Sequence, residues 1–157
     1  MTDDANRPTE IYIDADACPV KAEAVRVAER HKLIIHFVSN SYMRLDPSPL
    51  VKRVVVDDKL DAADDWIANN IRAVDIAVTA DIPLASRCLE AGAKVINHNG
   101  KLFTEDGIGM ALAMRDLMSD LRAGGDIVNH NAAFQAKDRS RFLQALEQAV
   151  QDIRLGR

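Results

Sequence analysis

Two aspartates, Asp14 and Asp16, stand where the first apolar run, Ile11-Tyr12-Ile13, gives out. That run has the length of a strand. A strand ending on Asp-x-Asp puts carboxylates at the carboxyl end of a sheet, where open α/β folds gather their ligands. Further acids recur where later elements begin: Asp57, Asp58, Asp61, Asp64 and Asp65, then Asp81. Carboxylates crowded at one edge repel one another and lose hydration, and a hard cation relieves both penalties. An all-oxygen set of this kind suits Mg²⁺ or Mn²⁺. It also suits phosphodiester hydrolysis, in which such ions activate water and stabilise the departing oxygen. Any one of these acids serves equally well as a helix cap or turn residue. The combination of Asp14, Asp81 and an acid of the helix between them points to a site, because separate elements then bring acids to one edge.

The elements that must position these groups follow from hydrophobic periodicity and turn signals. Strands are expected over 10–14, 33–38, 51–56, 75–79 and 94–97. Helices are expected from Pro19, at the first helical position, to about His31, then over 61–72, 82–91, 104–123 and 138–153. Asp16 or Cys18 would stand near the cap of the first helix, and Gly92 would end the third in a left-handed cap. Asp61, Asp64 and Asp65 fall on one side of the second helix, opposite Ala63, Trp66, Ile67 and Ile71. Asn99-Gly100 is a turn signal that allows Lys101-Leu102-Phe103 to fold back as a short arm. Thr104 would cap the fourth helix, and 124–137 reads as a loop. The order β-α-β-β-α-β-α-β predicts a single three-layer α/β domain over 10–157, with a mainly parallel sheet of about five strands, behind a loose tail over 1–9.

Composition narrows the possibilities. The chain has 157 residues, enough for one sizeable core, with 48% hydrophobic and 28% charged residues. A net charge of −4 argues against a general nucleic-acid coat but leaves room for a local basic rim. Aromatic residues are only 4%, too few for a base-stacking platform. The two cysteines, Cys18 and Cys88, form no CxxC and imply no disulfide framework, which fits a reducing cytoplasm. The polar, acidic opening lacks the features of a secretory leader, and no apolar run is long enough to span a bilayer.

Several other side chains bear on chemistry. Arg139 and Arg141, in Lys137-Asp138-Arg139-Ser140-Arg141, are candidates to clamp a phosphate, and three cations there oppose the dipole of the last helix. Asn40, after the second strand, is a candidate to hydrogen-bond substrate, with a turn cap as its alternative. Cys18 lacks the downstream Arg that a cysteine phosphatase requires and reads as a packing residue. Cys88 and Trp66 read as core. His31, His36, His98 and His130 show no ligand spacing.

Four segments carry a family resemblance: Ile13-Asp-Ala-Asp-Ala-Cys-Pro-Val20, Asp61-Ala-Ala-Asp-Asp-Trp-Ile67, Val78-Thr-Ala-Asp-Ile-Pro-Leu-Ala85 and Lys137-Asp-Arg-Ser-Arg-Phe142. Together they resemble the bacterial YaiI/YqxD family, which is related to PIN-like nuclease domains, and the likeness runs from about Ile11 to Val150. PIN-like domains place one Asp at the end of strand one, an acid in a middle helix and one or two Asp after the fourth strand. The resemblance therefore implies Asp14 and Asp81 as catalytic acids, with an acid of the second helix as the third. Asp61, Asp64 and Asp65 all compete for that place, with Asp64 the first choice and Asp61 the second. Asp16, Asp61 and Asp65 complete the implied metal-binding set. The fourth acid is missing after Asp81, where Ile82-Pro83-Leu84 follow, or is replaced by Asp16. The function expected is a divalent-metal-dependent phosphodiesterase, a nuclease acting on RNA, with Mg²⁺ or Mn²⁺ as cofactor and no membrane partner. Two alternatives stand beside it. One is a haloacid-dehalogenase-type phosphatase with Asp14 as covalent nucleophile. The other is a non-catalytic PIN-like module that binds RNA or protein.

Overall fold

The computed structural model describes residues 7–16, 18–123 and 134–157. Among them the elements run β1 (Ile11–Asp14), α1 (Lys21–His31), β2 (Ile35–Ser39), β3 (Val51–Val55), α2 (Ala62–Asn70), β4 (Ile76–Val78), α3 (Ile82–Glu90), β5 (Lys94–Ile96), α4 (Glu105–Ala123) and α5 (Ala136–Arg154). The five strands form one sheet in the order β3-β2-β1-β4-β5, and every pairing is parallel. All five strands therefore end on the same edge.

β1 occupies the centre, so both of its faces need cover. Ile11 and Ile13 face one core, where α1 contributes Ala24, Val27 and Ala28 and α5 contributes Phe142, Leu146 and Val150. Tyr12 faces the other, with Ile67 from α2 and Leu84, Ala85 and Cys88 from α3. The alternation along a four-residue strand thus divides the domain into three layers. Each fully buried Phe, Leu or Ile contributes about 1.5–3 kcal/mol through water exclusion.

Local chemistry sets several boundaries differently from the sequence expectation. Pro19 lies in a turn before α1, whose N-cap is Val20 with no side-chain bond, so neither Asp16 nor Cys18 caps that helix. The α1 terminus is Lys32 in the left-handed region, at φ 57°. α2 spans only Ala62–Asn70, and its N-cap Asp61 is itself left-handed, at φ 65°. α5 begins at Ala136 behind a reciprocal capping box between Gln135 and Asp138. Asp138 thereby answers the helix dipole that the neighbouring cations oppose. Of the loop expected over 124–137, residues 124–133 fall outside the described residues.

Other details agree with the expectation. Gly92 takes φ 88° just beyond α3, and its N–H donates to the Leu89 carbonyl. Past β5, the Asn97 N–H donates to the Lys101 carbonyl at 2.9 Å, and Leu102 bridges antiparallel to Ile96. The Thr104 hydroxyl accepts from the Gly107 N–H at 3.0 Å at the start of α4.

The amino edge of the sheet is tied down by a buried network. Asp75 is fully buried and accepts from the Arg7 guanidinium at 2.7 Å and from the backbone N–H groups of Glu10 and Arg72 at 3.0 and 2.9 Å. Arg7 also pairs with Glu10, whose carboxylate meets His36 Nε2 at 2.6 Å. The His36 ring stacks on Tyr12 with centroids 4.6 Å apart. The tail expected over 1–9 is therefore anchored at its inner end by Arg7, while residues 1–6 fall outside the described residues.

Candidate metal centre at the carboxyl edge

Parallel register carries the first acids to their place. Ile13 stands opposite Phe37 on β2 and Val78 on β4, so the next residues of all three strands, Asp14, Val38 and Thr79, share the carboxyl edge. The Thr79 hydroxyl donates to Asp14 Oδ2 at 2.9 Å and accepts from the Asp81 N–H at 3.0 Å. On the other side, the Ser39 hydroxyl donates to Asp16 and accepts from the Ser41 N–H at 3.1 Å. Thr79 and Ser39 are both 1% exposed, so each hydroxyl is committed to holding a carboxylate. Asp81 is the N-cap of α3, where its Oδ1 accepts from the Leu84 N–H at 2.8 Å.

The third side comes from α2. Asp14, Asp16, Asp61, Asp64 and Asp81 line one open cavity of about 490 Å³, together with Asn40 and the Asp58–Ala63 segment. Among the described residues Lys59 is the one cation along its wall, and Leu60 stands 91% exposed beside it. Asp65 does not join the cavity. One residue beyond Asp64, it turns outward and pairs with Arg87 at 2.7 Å. Sharing one side of a helix thus did not suffice to bring Asp64 and Asp65 together.

The electrostatics agree with this crowding. Burial raises the Asp14 carboxyl above its ordinary value, and Asp81 and Asp16 push it the same way against the Thr79 hydrogen bond. Asp64 is pushed up to about 6, first by burial and then by Asp81, Asp14 and Asp61, with Arg87 opposing. The donors facing the cavity are hard oxygens, with no His or Cys among them. Among the described residues, no three His, Cys, Asp or Glu groups converge tightly enough to form a ready cage. Hard oxygen donors are the kind of ligand that Mg²⁺ takes.

The remaining candidates lie elsewhere. Arg139 donates to the Pro19 carbonyl at 2.6 Å and to Glu23 at 3.0 Å, and lies over the Phe134 ring. It secures the entry to α1 and does not face the acids. Arg141 is also outside the cavity, on an exposed face of α5. Cys18 is buried, and burial pushes its thiol up, which opposes a nucleophilic role. Cys88 is likewise buried, its thiol pushed up to about 12. Sequence reasoning passed over Thr79, Ser39 and Lys59. The two hydroxyls carried a signal, since each directly follows or ends a strand that neighbours the Asp14 strand.

The geometry defines a doubly covered parallel α/β domain with a carboxylate-lined cavity at the carboxyl ends of its central strands. The chain belongs to the YaiI/YqxD family: the family model described as "Uncharacterized BCR, YaiI/YqxD family" matches residues 12–152. It is similar to a UPF0178 protein of Parvibaculum lavamentivorans, with 64% identity over 114 residues, covering 73% of this chain and 75% of the relative. A UPF0178 protein of Rhodospirillum rubrum is 61% identical over 114 residues, covering 72% of this chain and 76% of the relative. One from Ruegeria pomeroyi is 57% identical over 114 residues, covering 73% and 74%. No solved structure matches the chain. No described helix is long and apolar enough to cross a membrane.

Proposed function

We propose that this chain is a divalent-metal-dependent phosphodiesterase that hydrolyses RNA, with Asp14, Asp64 and Asp81 as its central acids. One observation carries the reading. Acids from the end of β1, the start of α2 and the cap of α3 line a single cavity, and their mutual repulsion leaves them in need of a counter-charge. The PIN-like resemblance supports the reading at Asp14 and Asp81 and asks for an acid on the middle helix without choosing among Asp61, Asp64 and Asp65. Bound Mg²⁺ or Mn²⁺ would supply Lewis acidity toward the phosphate and a lowered pKa for attacking water.

The protein's own groups have separate tasks. Asp14, Asp64 and Asp81 would hold the ion, with Asp16 and Asp61 in the same wall of the cavity. Thr79 and Ser39 fix the directions of Asp14 and Asp16, so little reorganisation is left for binding. Lys59 and the Asn40 amide face the cavity and are placed to donate to non-bridging phosphate oxygens.

The decisive assay is Mn²⁺- and Mg²⁺-dependent cleavage of labelled single-stranded RNA by the parent and by Asp81→Asn. Asparagine caps a helix about as well as aspartate, so the variant keeps α3 and loses only the charge. Cleavage by the parent that chelation stops and the variant lacks is the expected result. Equal cleavage by both proteins, or by neither, would overturn the assignment.

A further inference from the structure

A second concavity of about 570 Å³ lies on the same edge of the sheet, between the turn after β5 and α5. Its wall is made by Asn99, Lys101, Arg141, Gln144 and Gln148, with no carboxylate among the lining residues. In a chain of net charge −4, that is a local reversal of sign. Arg141, Gln144 and Gln148 are three, four and seven residues apart and so share one face of α5, while Phe142 and Leu146 are buried.

The two cations are only loosely engaged among the described residues. The only ion pair of Arg141 among the described residues is with Asp138 at 4.0 Å, and its side chain is 63% exposed. Lys101 is exposed and has no carboxylate partner among the described residues. Arg139, two residues away, shows the contrast, because its guanidinium is already held by Pro19 and Glu23. The mutual position of Lys101 and Arg141 is fixed by the backbone. Gly100, at φ 88°, presses against α5 so closely that a Cβ there would lie 2.6 Å from the carbonyl carbon and oxygen of Arg141. The Asn99 side chain accepts from the Lys101 N–H at 3.0 Å and stiffens the same turn.

We propose that this trough binds the sugar–phosphate backbone of single-stranded RNA without any metal ion, as a holding site beside the acidic cavity. The inference rests on the nuclease reading for its choice of polyanion. Guanidinium and ammonium groups suit phosphate oxygens, and amides that both donate and accept suit ribose hydroxyls. β5 lies two strand positions from β1, about 10 Å along the edge at ordinary strand spacing. A short RNA spans that gap. The metal-free cavity repels phosphate, so a separate cationic hold supplies affinity where the acids cannot.

The test is fluorescence anisotropy of a short labelled single-stranded RNA in EDTA, with salt varied. The parent is expected to bind. Lys101→Ala with Arg141→Ala should weaken binding about tenfold and flatten the log–log salt slope by about 1.4, the counterion yield of two phosphate contacts on a single strand. Asp81→Asn should bind no more weakly than the parent. No parental binding in EDTA, unchanged affinity in the double variant, or displacement by polyglutamate as effective as by unlabelled RNA would each overturn the trough. Loss of the cleavage reading with trough-dependent binding intact would leave this inference standing.

Discussion

The Thr79 hydroxyl donates to Asp14 Oδ2 at 2.9 Å while accepting the Asp81 N–H at 3.0 Å, so one buried oxygen links the acid that ends β1 to the acid that caps α3. It lowers the charge penalty of Asp14 and sets the turn that presents Asp81. The bond exists because β1 and β4 pair in parallel with Ile13 opposite Val78, one step short of both residues.

Thr79→Val keeps the side-chain volume and removes this oxygen. The Asp14 carboxylate then loses a donor and the Asp81 N–H an acceptor, at a hydroxyl position that is itself buried. Urea denaturation at neutral pH should show a loss of about 1–3 kcal/mol. Calorimetric Mn²⁺ affinity should fall as well, because Asp14 is no longer oriented. Unchanged values of both would show that the hydroxyl positions nothing.

Asp64 gives a pH dependence whose sign is fixed. Its carboxyl is raised from 3.8 to about 6 in the folded protein, so the folded state binds more protons than the unfolded one between those values. Stability of the metal-free protein should therefore decline as pH rises from about 4 to about 6, and the full penalty should persist at neutral pH. Asp14 is shifted the same way and adds to the trend. Asp64→Asn should flatten the decline and raise Tm at pH 7 in EDTA. Thermal scans showing a steeper decline in the variant would contradict the crowding of these acids.

Gly100→Ala tests the packing of the turn after β5. The added methyl meets the Arg141–Phe142 backbone rather than a movable side chain, at a φ that alanine disfavours. A loss of about 1–3 kcal/mol in chemical denaturation is expected, because the turn must leave α5. An alanine variant as stable as the parent would mean that turn and helix are not in rigid contact.

The sheet was largely legible in the sequence because its strands are continuous apolar runs closed by turn residues. The acids Asp14 and Asp81 were legible for the same reason: one ends, and the other closely follows, a run that had to be a strand. The start of α2 was less so. Asp61, Asp64 and Asp65 share a helical side by spacing, and only Arg87, more than twenty positions later, draws Asp65 outward. The two arginines near the start of α5 were likewise equivalent on paper. Contacts with Pro19 and Glu23 distinguish them, and no local pattern encodes contacts of that sequence range. Lys32 and Asp61 adopt left-handed backbone without being glycine, which turn statistics alone do not announce.

The central place of β1 has a consequence for the order of events during synthesis. β1 finds its second neighbour only when β4 has been made, and Asp14 meets Thr79 across a sequence separation of 65. The Arg7–Asp75 pair at the opposite edge closes over 68 residues. A nascent chain that has not reached Thr79 therefore carries Asp14 and Asp16 beside an unpaired strand edge, with neither the hydroxyl that restrains Asp14 nor the cap acid Asp81. Closure of such distant pairs is slow and entropically costly. Ion-binding competence should thus appear late, together with docking of β4, rather than accumulate as each acid is translated.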